Sequence, residues 1–194
     1  MKRSIFNLLL ITAVFLLCGG STLTAQNRST SEYLKGAVPL EDGEVVFRKS
    51  FKAPNVSRDS LMNFTRDWIN GRDDQEKQLS SRVLIFDEEK GEVVGGCSEK
   101  LVFTSKLLIL DQANMSYYIH ATCTPGAVDL AIIRIRYEYE DKQRFTAEEM
   151  IADEVSLDKN QKKILKSSEK WRVKTIDFVD DLFKDYSYRL FQSI

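Results

Sequence analysis

The 194-residue chain has one histidine, His120, three cysteines and three prolines. A single histidine excludes any multi-histidine metal centre, and no metal is expected. There is no G-x-S-x-G nucleophile elbow to support Ser/His/Asp hydrolysis. A Walker loop and a dinucleotide glycine loop are also missing, so no cofactor is expected. No apolar run reaches the roughly 20 residues that a membrane-spanning helix needs. Pro/Gly/Ser linkers, internal repeats and low-complexity tracts are absent too, which favours one folded unit.

The amino-terminus does carry a signal. Lys2 and Arg3 precede an apolar run of 13 residues, Ile5 to Leu17, and small and polar residues follow. This reads as a cleaved export segment covering residues 1–25. Cleavage after Ala25 would leave Gln26 as the first mature residue. Cys18 offers the alternative of an outer-membrane lipoprotein, although Leu17 stands where lipidation prefers a small residue. Losing residues 1–25 lowers Lys+Arg from 28 to 26 against 29 Asp+Glu, so the net charge moves from −1 to −3. Nucleic acid is therefore a poor partner, because affinity for it comes mainly from cations that neutralise phosphates. The cluster Lys159, Lys162, Lys163 and Lys166 reads as a solvated helix face. The expected compartment is the periplasm or beyond.

After an irregular arm expected to be flexible over residues 26–42, periodicity predicts one α+β domain over 43–194. "EVVFRKSF" alternates as a strand, with Val45, Phe47 and Phe51 on one face and Lys49 as the misfit there. Pro54 ends it, and Ser57 is the expected cap of a helix bearing the stripe Leu61, Phe64, Trp68 and Ile69, closed by a left-handed Gly71. Strands follow at 82–86, 92–97, 101–110, 116–123 and 127–140. In the last, Ile133, Ile135, Tyr137 and Tyr139 should face inward, with Arg134, Arg136, Glu138 and Glu140 outward. An antiparallel sheet with one wet face results.

Residues 145–170 are ambiguous: "TAEEMIADE" suits a short helix or an irregular cover, and the polar stretch after it suits a partly mobile segment. The final helix is firmer, with Ile176, Val179, Phe183, Tyr186 and Leu190 on one face and Thr175 as its expected cap. In "WRVKTIDFVDDLF" the apolar side chains face a sheet, and Asp180 and Asp181 point to the solvent side, so no catalytic carboxylate pair is implied.

The chemistry-bearing candidates are few. Arg134 and Arg136 lie two apart on a strand, share a face, and could hold a carboxylate or phosphate. Glu138, Glu140 and acids on neighbouring strands could satisfy them as cross-strand pairs instead. Tyr118 and His120 share the same outward face of the preceding strand. Cys97 and Cys123 fit either a disulfide in an oxidising compartment or two buried thiols.

The segments "VVFRKSFKAPNVSRDSLMNFTRDWI", "GEVVGGC", "IIRIRYEYE", "TAEEMIADE" and "WRVKTIDFVDDLF" together resemble the exported Bacteroidetes proteins of domain-of-unknown-function family 4468, over roughly residues 43 to 185. The resemblance implies a TATA-binding-protein-like fold, a curved antiparallel sheet covered on one face by helices, and it implies no catalytic residues. Two functional classes follow. The first is an exported envelope protein that binds an unknown envelope partner or small ligand on its open sheet face without catalysis. The alternative is a hydrolase or other enzyme with an unrecognised carboxylate site.

Overall fold

The computed structural model describes residues 30–72, 78–106, 109–140 and 142–193. The expected export segment, Cys18 and the Ala25–Gln26 junction lie outside the described residues. In order, the chain forms a 3-10 turn (Thr30–Tyr33), β1 (Leu40–Glu41), β2 (Glu44–Val45), β3 (Phe47–Lys52), α1 (Arg58–Asn70), β4 (Gln78–Asp87), β5 (Glu92–Lys106), β6 (Ile109–Thr124), β7 (Ala127–Tyr139), β8 (Gln143–Thr146), α2 (Ala147–Ile151), α3 (Asp153–Ser156) and α4 (Glu169–Ser193).

β1 and β2 pair with each other, and the other strands build one six-stranded antiparallel sheet in the order β3-β7-β6-β5-β4, with β8 also on β7. β6 occupies one edge of β7. On its other edge β3 pairs with residues 127–132 and β8 with 136–139. Strict alternation on β6 explains the two faces: Ala113, Met115, Tyr117, Ile119, Ala121 and Cys123 are buried, while Asn114, Ser116, Tyr118, His120 and Thr122 point the other way. The expected α+β architecture, an antiparallel sheet with its helices on one face, is the one observed.

α1 and α4 cover the buried face. Ser57 caps α1 as expected, its hydroxyl accepting from the Ser60 N–H at 3.1 Å. α1 approaches β5 so closely that a Cβ on Gly95 would sit 2.8 Å from Ile69 Cγ2. The Gly95 position therefore serves helix–sheet contact. Tyr186 of α4 packs on Phe51, Phe64 and Trp68, with centroids 4.8–5.4 Å apart, and meets Thr65 Oγ1 through its hydroxyl at 2.8 Å. At the other end of α4, Trp171 is ringed by Phe103, Tyr137, Tyr139 and Phe145. Each such side chain contributes about 1.5–3 kcal/mol of burial. Lys49, the misfit on its strand, rests its ammonium 5.8 Å from the Phe51 centroid and 6.0 Å from that of Phe183.

Several expectations are corrected. Residues 92–97 and 101–110 are not two strands: β5 runs unbroken to Lys106, which pairs with Ile109 at the start of β6. The apolar "LLIL" contains none of the usual turn residues, so nothing in the sequence announces the pairing of Lys106 with Ile109. Gly71 has φ −74°, outside the left-handed region, and α1 ends instead with the Gly71 N–H on the Asp67 carbonyl at 2.8 Å. Thr175 is no cap, because α4 already begins at Glu169; its buried hydroxyl meets that of Tyr137 at 2.7 Å.

The arm is not loose from residue 30 onward. The fully buried Arg172 donates to the carbonyls of Tyr33 at 2.6 Å and Leu34 at 2.7 Å, and the Tyr33 hydroxyl donates to Asp177 at 2.7 Å. The same guanidinium reaches the Ile151 carbonyl, Ser156 Oγ and Asp153 Oδ1, tying the arm, α2, α3 and α4 together. "TAEEMIADE" is helical in two short pieces, the first capped reciprocally by Thr146 and Glu149. The polar stretch after it is a fastened loop: Leu157 bridges Ile164, and the Asp158 carboxylate accepts from the N–H groups of Lys162 and Lys163. Lys159, Lys162, Lys163 and Lys166 are solvated on this loop rather than on a helix.

Candidate binding site on the open sheet face

The site follows from a phase change in β7. Val128, Leu130 and Ile132 face the core, and so do Ile135 and Tyr137, so one extra residue lies between the two sets. The ladder with β6 shifts register at this point, from Tyr118↔Ile133 to Ser116↔Arg136. Arg134 absorbs the irregularity with φ 53°, a left-handed conformation unusual for a residue with a Cβ. It sits where the outer edge of β7 passes from β3 to β8. Ile133 is therefore not inward as expected. It is half-buried on the open face, next to Tyr118.

Two cross-strand rows build the floor. One runs Arg82, Gly96, Tyr118, Ile133 across β4 to β7, and the next runs Ser80, Ser98, Ser116, Arg136, Thr146 out to β8. Ser98 and Ser116 are small, so they leave a depression between Arg82 on one side and Arg134 and Arg136 on the other, while Leu84 lies over Gly96, where a Cβ would sit 2.9 Å from Leu84 Cδ1. The backbones carrying these arginines are three strand spacings apart, about 14 Å, a gap that long guanidinium side chains can span from both sides. The resulting cavity of about 620 Å³ is lined by Arg82, Arg134, Arg136, Tyr118 and the hydroxyl-bearing floor.

Arg82, Arg134 and Arg136 make no ion pair or side-chain hydrogen bond among the described residues. The neighbouring acid is already engaged: Glu138 accepts from Arg144 Nε at 3.3 Å. Arg136 stands opposite Ser116 on one side and Thr146 on the other, so cross-strand neutralisation by acids does not occur. Glu44 and Glu148 lie nearby, in a smaller concavity shared with Arg134 and Arg136. Glu148 is occupied by the Val45 N–H at 2.7 Å. An array of such guanidiniums beside hydroxyls can receive an oxyanion through charge-assisted, bidentate hydrogen bonds.

Of the residues singled out in the sequence, the structure brings Arg134, Arg136 and Tyr118 into this cavity. Glu138 lies on the adjoining concavity toward β8. His120 is one row further along, its Nε2 3.7 Å from Glu92 Oε1, in a more apolar depression. Glu140 is exposed just beyond β7 and lines none of these concavities. Arg82, Ser98 and Ser116 were missed. Their outward phase on β4, β5 and β6 was legible, but the register that aligns them with Arg136 was not.

The two cysteines do not form a disulfide; both are free and buried. Cys97 pairs across the ladder with Tyr117, six residues before Cys123 on β6, which separates the two thiols by roughly 20 Å of strand. Burial raises the Cys97 thiol pKa and lifts that of Cys123 to about 11. Beside Cys97 lies a closed polar cluster in which Arg72 pairs with Glu99 and the Tyr117 hydroxyl donates to Glu99 at 2.7 Å. Among the carboxylates, Glu41 is lowered by its hydrogen bond to Arg48, and Asp87 and Asp158 by backbone N–H donors, each at the surface. Among the described residues, no helix is long and apolar enough to cross a membrane.

Residues 47–138 match the family described as "Domain of unknown function (DUF4468) with TBP-like fold". The structure is similar to that of a DUF4468 family protein from Bacteroides ovatus ATCC 8483, with a TM-score of 0.78 and 35% sequence identity over 84% of this chain and 95% of that one. It is also similar in fold to a TBP-like protein from Parabacteroides distasonis ATCC 8503, with a TM-score of 0.62 and 22% identity over 80% of this chain and 97% of the other. No curated protein matched.

Proposed function

The chain belongs to the DUF4468 family, and from that premise we propose that it is an exported, non-enzymatic binding domain of the cell envelope that takes an anionic ligand on its open sheet face. One observation carries this reading: Arg82, Arg134 and Arg136 share a cavity of about 620 Å³ without an acid partner among the described residues, and one of them is held in a strained backbone conformation. Strain of this kind costs about 1–3 kcal/mol and clusters at functional sites. The cavity volume falls within the range of small-molecule sites, roughly 300–1,000 Å³. Export is supported by the basic n-region and apolar run before Ala25, with Cys18 as the lipid-anchored alternative. Duplex DNA fits this face poorly: a mature charge of −3 opposes phosphate-backbone recognition, and likeness of fold is not likeness of function.

The test is calorimetric titration of the mature domain with inorganic phosphate at low and at high salt. Binding should weaken with salt and fall about ten-fold or more in Arg134→Gln/Arg136→Gln, as expected when charge-assisted bonds worth about 1.5–3 kcal/mol each are removed. Equal affinities in the parent and the double variant would overturn the proposal.

A further inference from the structure

The arginine cavity continues into a second concavity of about 400 Å³, lined by Leu84, Ile85, Val94, Tyr118, His120, Ile133 and Arg134 together with Glu92. Leu84, Tyr118 and Arg134 line both. This flank is apolar on a face that is otherwise wet, with Leu84 46%, Ile85 51% and Tyr118 37% exposed. Two bulges produce it. On β4 the register shifts between Val83 and Ile85, which brings Leu84 and Ile85 to the same concavity. On β7 the Arg134 bulge does the same for Ile133 and Arg134. A bulge disrupts its ladder locally and is kept where it re-aims a side chain. Two of them serving one concavity indicate a built surface rather than scattered exposed apolar residues.

We infer that the ligand of this face is a single amphiphile, a phosphate-like oxyanion head on Arg82, Arg134 and Arg136 with an apolar body along Leu84, Ile85, Tyr118 and Ile133. This rests on the reading of the open face as an anion site. Charge complementarity fixes the head: three cations with hydroxyls beside them and, among the described residues, no ion-paired acid call for an oxyanion. Continuity fixes the body, because Tyr118 and Leu84 border both halves. The two adjoining small-molecule-sized concavities suit one monomeric ligand better than the flat surface of a bilayer.

The test compares inorganic phosphate, octyl phosphate and octanol as calorimetric titrants of the mature domain, alongside flotation with phosphatidylglycerol vesicles. Octyl phosphate should bind about ten-fold or more tighter than inorganic phosphate, since burying two methylenes already supplies that factor. Octanol should bind far more weakly than octyl phosphate. Arg134→Gln/Arg136→Gln should remove the binding of both phosphates, whereas Ile85→Ser/Val94→Ser should shrink the advantage of octyl phosphate. Equal affinity for the two phosphates would overturn the amphiphile and leave the anion site standing. Absence of any phosphate binding would remove both readings. Octanol binding as tightly as octyl phosphate, or flotation with vesicles without binding of monomeric octyl phosphate, would overturn the proposed ligand.

Discussion

Arg134→Gly and Arg134→Ala separate backbone strain from charge at the heart of the site. Both variants remove the guanidinium, so both relieve the same repulsion from the unpaired Arg136. They differ in the backbone. At φ 53° a residue with a Cβ costs about 1–2 kcal/mol that glycine does not. Against this, glycine loses about 0.5–1 kcal/mol more chain entropy on folding than alanine. In an ordinary strand the second effect dominates and alanine is the more stable. At this bulge the first should win, leaving Arg134→Gly more stable than Arg134→Ala by up to about 1.5 kcal/mol. Urea denaturation, with m unchanged between the two, reads the difference directly. Alanine proving the more stable would mean that the backbone is unstrained, and would remove one of the two grounds for treating Arg134 as a binding residue.

Arg172 is fully buried and makes five donor contacts. Arg172→Met should therefore cost about 3–5 kcal/mol and increase amide exchange over residues 33–38, because Asp153 loses its cation and the Tyr33 and Leu34 carbonyls lose their donor. In denaturation Phe183→Ala should cost about 3–5 kcal/mol through its cavity. Asp181→Asn should stay within about 0.5 kcal/mol, since this exposed acid pairs with the also exposed Lys184 across one turn. Both thiols should label fully with an alkylating agent in denatured, unreduced protein, and slowly in the folded one. Because burial raises the Cys123 thiol to about 11 against roughly 8.5 when unfolded, its stabilising contribution is complete below pH ~8.5 and is lost as pH rises toward 11. The buried Tyr117, raised well above its ordinary value, adds to this alkaline decline; a stability profile flat from pH 8 to 11 would contradict it.

Elements defined by strong periodicity were legible in the chain: the capped α1 stripe, the alternation of β6 and the apolar face of α4 all stand where the pattern put them. What escaped was set by tertiary context. The antiparallel pairing of Lys106 with Ile109 is not announced by turn residues in the sequence. Thr175 looks like a cap until Trp171 and Arg172 are seen to need a helix begun about two turns earlier, at Glu169, one placing an aromatic ring and the other a buried guanidinium. The outward identity of Arg134 and Arg136 was readable from alternation, but the bulge between Ile132 and Ile135 was not, because no glycine marks the left-handed position. Acids two and four residues along the strand suggested local neutralisation. Register decided otherwise, giving Glu138 to Arg144 and leaving serine and threonine beside Arg136.

The central claim, that the open sheet face is the anion site, is tested most directly by mapping where inorganic phosphate perturbs the NMR resonances of the labelled mature domain. Saturable shifts should concentrate on the guanidinium groups of Arg82, Arg134 and Arg136 and on the amides of Gly96, Ser98 and Ser116. Shifts centred instead on the loop bearing Lys159, Lys162, Lys163 and Lys166, or spread without saturation over all surface cations, would contradict the account.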